Sequence, residues 1–204
     1  MSTSARTYHH GDLRAVLVTS AIEMLEAEEP YSMRAVARRA GVSPTAPYRH
    51  FADRSALDSA VAVEGFKDLR DAMARVLAEV PAGAGRVDLL AELGIAYVDF
   101  ALRRPAVFRL MFGNECDTAD SDRVRASQDL HAVLGDVLAR LFPGPDRAAL
   151  ATALWGLAHG LAFLHLDGKY RPEPAEEVAE RVRAAVAAIL AVQPGASRGD
   201  RDVY

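Results

Sequence analysis

A single cysteine, Cys116, in 204 residues excludes an internal disulfide framework and a cysteine-built zinc centre. Lysine is almost absent too: Lys67 and Lys169 are the only two, so arginine carries nearly all the positive charge. The formal net charge is −4, so no global excess of cations advertises nucleic acid or an acidic membrane, and charge has to be read locally. The opening residues, Met1 to Tyr8, lack an apolar run and do not read as a signal peptide. Apolar side chains, by contrast, are plentiful. At 50% of the chain they suffice for a real core and rule out a mainly disordered protein.

One stretch needs weighing as a membrane span. Ala148 to Leu166 holds no formal charge and contains Gly156-x-x-x-Gly160, a helix-packing pattern familiar from membranes. It also holds His159 and His165, is rich in alanine and stands alone. A buried central helix is apolar all round in the same way. That reading is taken here: a cytoplasmic protein with no membrane partner.

Helical periodicity runs almost throughout, and no segment alternates with period two for long, so the fold class is all-α. Leu13, Leu17, Ala21 and Met24 share one face of a first helix over residues 10–28, stopped by Pro30. Ser32 caps a short second helix with Met33, Val36, Ala37 and Ala40 inward. Gly41 ends it in a left-handed conformation and Val42 tucks beneath the turn. Ser43 is expected to cap a third, very short helix with Pro44 at its first position. Asp53 caps a long fourth helix with Leu57, Val61, Leu69, Met73, Val76 and Val80 on one side.

Residues 81–85 read as a linker; Gly83-x-Gly85 lacks the strand and third glycine of a nucleotide loop. Further helices are expected up to Leu102, over 105–113, from the acidic loop 114–122 to Phe142, and over 146–167 and 174–192. A polar tail follows, in which Arg198-Gly199-Asp200 is read as chance.

Two helices too short to stand alone, joined by a tight Ala-Gly-Val-Ser turn, make a helix-turn-helix layout. Between Pro30 and Ala52 the chain carries Arg34, Arg38, Arg39 and Arg49 and no carboxylate. A local basic patch of this kind is what phosphate neutralisation requires. The stretch Met33-Arg-Ala-Val-Ala-Arg-Arg-Ala-Gly-Val-Ser-Pro-Thr-Ala-Pro-Tyr-Arg-His-Phe51, followed by Asp53-Arg-Ser-Ala-Leu57, resembles the DNA-binding head of the tetracycline-repressor (TetR) family of bacterial regulators. Tyr8-His-His-Gly-Asp-Leu-Arg14 and Trp155-Gly-Leu-Ala-His-Gly160 resemble a subgroup named for a Trp-His-Gly (WHG) C-terminal domain.

The resemblance implies a helix-turn-helix head at 8–66, a ligand-binding and dimerisation bundle at 67–193 and a flexible tail at 194–204. It implies backbone clamping of DNA by Ser43, Tyr48, His50 and Arg54. Ser32 and Arg34, at the start of the second helix, join this DNA-facing set, while Thr45, Ala46 and Arg49 fall where bases are read. Pro47 departs from the family's usual Leu and predicts a tight, 3₁₀-like opening of the recognition element; Glu29 to Ser32 is shorter than the usual connection.

The bundle is expected to form a homodimer through its last two helices and to bind a small molecule near Tyr97, Phe100, Phe108, Met111, Trp155, His159 and Phe163. The partners implied are a palindromic DNA operator, an unidentified small-molecule effector and a second copy. No cofactor or metal is implied, and no catalytic signature is present: no Gly-x-Ser-x-Gly elbow, Walker loop or His-Glu-x-x-His helix. His9 and His10 with Asp12 have the makings of a metal trio, but at the N-terminus they read as plain polar residues or an arm near DNA; Cys116 lacks the second thiol and adjacent base that a redox thiol needs. The competing reading is a dimeric sensor that no longer binds DNA specifically.

Overall fold

A computed structural model describes residues 13–81, 83–113, 121–142 and 147–191. His9, His10, Asp12, Cys116 and the Arg198–Asp200 triplet lie outside the described residues, as does the whole polar tail. Among the described residues are eight α-helices, one 3₁₀ turn and no strand.

Helix α1 (Leu13–Glu26) buries Leu17, Ala21 and Met24. It closes on Glu28, whose φ of 53° is left-handed. The Glu28 N–H donates to the Leu25 carbonyl (3.1 Å) and the Glu29 N–H to that of Met24 (2.9 Å). This is the closure that glycine usually makes, performed by a glutamate. It absorbs the turn within the shortened connection, which reaches α2 (Met33–Arg39) through Ser32 in extended form. There Ser32 Oγ accepts from the Ala35 N–H at 3.2 Å. Gly41, at φ 70°, ends α2, and the Val42 N–H reaches back to Ala37 O at 3.0 Å.

The expected third helix, capped by Ser43, is corrected by the structure. Pro47 has no N–H to offer the Ser43 carbonyl, which takes the Ala46 N–H one residue earlier at 3.0 Å. The tight spacing then persists: Arg49 N–H donates to Ala46 O (3.2 Å) and His50 N–H to Pro47 O (2.9 Å). The recognition element is therefore a turn followed by a single 3₁₀ turn, Pro47–Arg49. Ser43 Oγ caps nothing here; it lies 3.3 Å from Thr45 Oγ1.

Asp53 accepts from the Ala56 N–H at 2.9 Å and starts α3 (Arg54–Glu79). At 1.5 Å per residue this helix is about 39 Å long, enough to belong to both halves of the molecule. Its Leu57 and Val61 pack beside α1, and its Leu69 and Met73 lie further along, all within one continuous hydrophobic core. The rest of that core comes from α4 (Arg86–Arg103), α5 (Pro105–Gly113), α6 (Ser121–Leu141), α7 (Arg147–Leu166) and α8 (Ala175–Ala191). Gly65 lets α5 close on α3: a Cβ there would sit 2.6 Å from Met111 Sδ and 2.8 Å from Val107 Cγ1. At the α4–α5 corner, Arg104 pairs with Asp68 of α3, and its Nε lies 3.5 Å from Glu26 Oε1 of α1. Burial pushes the Glu26 carboxyl upward, with Arg104 pulling it back.

Helix α7 is long and apolar enough to cross a membrane by length and composition, yet only 28% of that stretch is buried within the chain. Leu154, Ala158, Leu161, Ala162 and His165 form its buried face. Ala153, Gly156, Gly160 and Leu164 lie exposed on another. The sequence predicted a buried central helix; within the single chain α7 is instead covered on one face and open on the other.

Candidate nucleic-acid interface and effector cavity

The 3₁₀ turn has an inner and an outer side. Pro47 and Phe51 are buried, and the Phe51 N–H returns to Pro47 O at 2.9 Å, which pins both ends of the turn to the head core. Between these anchors Tyr48, Arg49 and His50 are exposed; Tyr48 keeps 51% of its surface, unusual for so large an apolar ring. Ser32, Arg34, Ser43, Thr45 and Arg54 are exposed as well, and Ala46 is half-buried. The hydroxyl of Ser32 is partly committed to its cap.

The basic patch is smaller in space than along the chain. Arg39 is held by Glu23 (3.1 Å) and Glu29 (2.8 Å), carboxylates that the carboxylate-free window 30–52 hides because they lie upstream. Arg34, Arg38 and Arg49 are exposed and have no acidic partner among the described residues. Arg54 is held in place: its guanidinium lies 4.6 Å over the Tyr31 ring and its Nε 3.6 Å from Asp58 Oδ2. The Tyr31 hydroxyl donates to Asp58 Oδ1 at 2.7 Å. Burial and that carboxylate push the Tyr31 pKa far up, so the phenol keeps its proton. Sequence reading missed Tyr31 in this role; the i,i+4 spacing of Arg54 and Asp58 was the available signal.

In the bundle, α4, α6, α7 and α8 enclose a narrow cavity of about 50 Å³. Leu90, Leu93 and Gly94 line it from α4, Leu130, His131 and Leu134 from α6, Leu154, Trp155 and Ala158 from α7, and Val182 and Val186 from α8. Of the seven residues singled out from sequence, Tyr97 and Trp155 line this cavity. Phe100, Phe108 and Met111 are packed into the core at 2% exposure or less. His159 and Phe163 belong to an aromatic cluster beside it: the His159 ring stands 4.9 Å from Phe163, 4.7 Å from Phe112 and 5.5 Å from Trp155. His159 is a satisfied histidine, its Nδ1 sharing a 2.9 Å hydrogen bond with the Tyr97 hydroxyl. Burial lowers the His159 pKa and raises that of Tyr97, so both are neutral. The aliphatic walls went unseen in the sequence because a cavity-facing leucine and a core leucine have the same periodicity.

Residues 90–189 match a family model described as the tetracyclin repressor-like C-terminal domain. A segment of 120 residues is 30% identical to an uncharacterized HTH-type transcriptional regulator of Haemophilus influenzae; it covers 57% of this chain and 57% of that relative. The chain is also similar to a solved structure of a protein with unknown function from Rhodococcus sp. RHA1, at 33% identity and TM-score 0.76, over 89% of this chain and 97% of that one. A TetR transcriptional regulator from the same Rhodococcus shares the fold at 21% identity and TM-score 0.63, over 86% and 96% of the two chains.

Proposed function

The chain belongs to the tetracycline-repressor (TetR) family of transcriptional regulators, and from that premise we propose that it is a cytoplasmic, homodimeric DNA-binding repressor released from a palindromic operator by a small molecule. The observation that carries the reading is the turn anchored by Pro47 and Phe51, which offers Tyr48, Arg49 and His50 to solvent, together with the exposed cations Arg34 and Arg38, which have no acidic partner among the described residues. In this reading Tyr48, His50, Ser43 and Arg54 contact phosphates, Arg34 reaches a phosphate or base edge, and Thr45, Ala46 and Arg49 face the bases. Ser32 contributes at the margin of this face.

The head is read as 8–66 and the bundle as 67–193, joined through α3. The open face of α7, together with α8, is read as the seam of a twofold dimer, which fixes the distance between the two recognition turns. That distance has to match about one helical turn of DNA, ~34–36 Å. The cavity is read as the effector site. At about 50 Å³ it is far smaller than a usual ligand pocket, so occupancy has to part the helices that line it. Coupling between ligand and DNA then follows, because the ligand binds the parted arrangement better.

The test is selection of genomic fragments on the purified protein, followed by binding of the enriched site as salt is raised. An enriched palindrome with affinity falling steeply in salt is expected. Recovery of no enriched palindrome would instead favour a dimeric sensor without specific DNA binding.

A further inference from the structure

We propose that the bundle cavity takes an uncharged, largely aromatic effector whose polar group accepts a hydrogen bond from the Trp155 indole N–H and donates one to Nε2 of His131. This rests on the reading of that cavity as the effector site and adds the chemistry of its occupant.

The walls exclude charge. Among the described residues no Lys, Arg, Asp or Glu lines the cavity, so an ionised ligand would be stripped of water with no opposite charge to meet it. The polar groups present are few, and each has a definable state. Tyr97 is already engaged with His159 Nδ1. The indole Nε1 of Trp155 is buried and makes no hydrogen bond of good geometry among the described residues; its polar neighbour is the Tyr97 oxygen, which it approaches without closing a well-aligned bond. A ligand oxygen placed against this N–H would complete a bond that the chain makes only poorly.

His131 supplies the complement. Its Nδ1 lies 2.7 Å from the Ser127 carbonyl oxygen, which can only accept, so Nδ1 carries the proton. In the neutral ring, Nε2 is then an acceptor. The imidazole stands edge-on to the indole with ring centroids 4.9 Å apart, and unlike Trp155 it is exposed, at the mouth of the cavity. A donor on one ring and an acceptor on its neighbour match a hydroxyl attached to an apolar body, and a phenol is the simplest such molecule.

Three probes with one skeleton test this on the full-length protein by titration calorimetry: para-cresol, toluene and para-toluate. Para-cresol is expected to bind about 10- to 100-fold tighter than toluene, the equivalent of two buried hydrogen bonds, and para-toluate weaker than either. His131→Phe keeps a ring at an exposed position and removes the acceptor; it should erase most of the cresol preference. Trp155→Phe should remove the remainder, with a melting curve to show that it folds. Equal affinity for cresol and toluene, or tightest binding of the toluate, overturns the proposed chemistry and leaves the cavity standing as an effector site. No saturable binding by any of the three overturns both. Selective cresol binding that leaves operator affinity unchanged supports the chemistry and defeats the ligand-release reading instead.

Discussion

Gly160→Leu separates what α7 does within the chain from what it does between chains. In the single chain no heavy atom lies within 4 Å of a Cβ built on Gly160, and the same holds for Gly156. Inside one subunit the substitution therefore meets no obstacle, and replacing glycine in a helix interior gains about 0.8–1.0 kcal/mol of helix propensity. Across a twofold seam the outcome reverses. Each overpacked site costs about 1–3 kcal/mol, and symmetry makes every substitution count twice, so the dimer should lose about 2–6 kcal/mol. That raises the dimer dissociation constant by about 30-fold to 10⁴-fold. Sedimentation equilibrium over a range of concentrations reads this directly, and operator binding should weaken in parallel. If the variant keeps wild-type dimer affinity and simply melts higher, the open face of α7 does not form the seam and the reasoning fails.

In the head, Arg34→Ala should lower the salt dependence of DNA binding by about one phosphate's worth, whereas Arg39→Ala, already neutralised by Glu23 and Glu29, should leave it unchanged. Equal slopes for the two variants would show that the pairing does not persist on DNA. Glu28→Gly should stabilise the fold by about 0.5–1 kcal/mol, since relief of left-handed strain outweighs the added freedom of the unfolded chain; urea denaturation checks the sign. Burial depresses the pKa of His159 and His165, so the unfolded chain takes up protons first: their contribution is complete above about pH 6.5 and lost as pH falls below it. Calorimetric melting from pH 7.5 to 5.5 should show His159→Gln losing less stability than wild type, and a steeper loss would contradict the assignment. Arg104→Met, which frees the α4–α5 corner from Glu26 and Asp68, should shrink the effect of an effector on operator affinity while changing each separate affinity only a few-fold. Undiminished coupling would show that this corner is not a route between head and bundle.

Helix boundaries were legible wherever a side chain or a backbone restriction sets them locally. Ser32 and Asp53 cap the helices they precede, Gly41 takes the positive φ its position demands, and Pro105 opens α5. The recognition element was legible only in part. Pro47 correctly forecast a tight opening, but the short sequence after it cannot widen back to α-helical spacing before Phe51 has to enter the core. Glu28 was invisible for the opposite reason. Nothing about a glutamate announces a left-handed residue, and only the length of the connection to Ser32 requires one.

Charge and cavities depend on neighbours remote in sequence, and the remaining differences lie there. A window count made residues 30–52 look uniformly cationic, yet Glu23 of α1 and Glu29 of the connection fold back onto Arg39, and just beyond the window Asp58 comes one turn along α3 to meet Arg54. Side-chain size pointed to Phe100, Phe108 and Met111 as pocket residues, but large apolar side chains fill the core, leaving space where leucines and Gly94 meet Trp155. Gly94 itself admits α8: a Cβ there would lie 2.9 Å from Val182 Cγ1. One glycine thus sets both the close crossing of α4 with α8 and part of the wall of the cavity beside it. If the proposed effector parts these helices and α8 forms the proposed seam, the ligand acts on the same contact that positions α8, and effector occupancy and dimer geometry are then coupled.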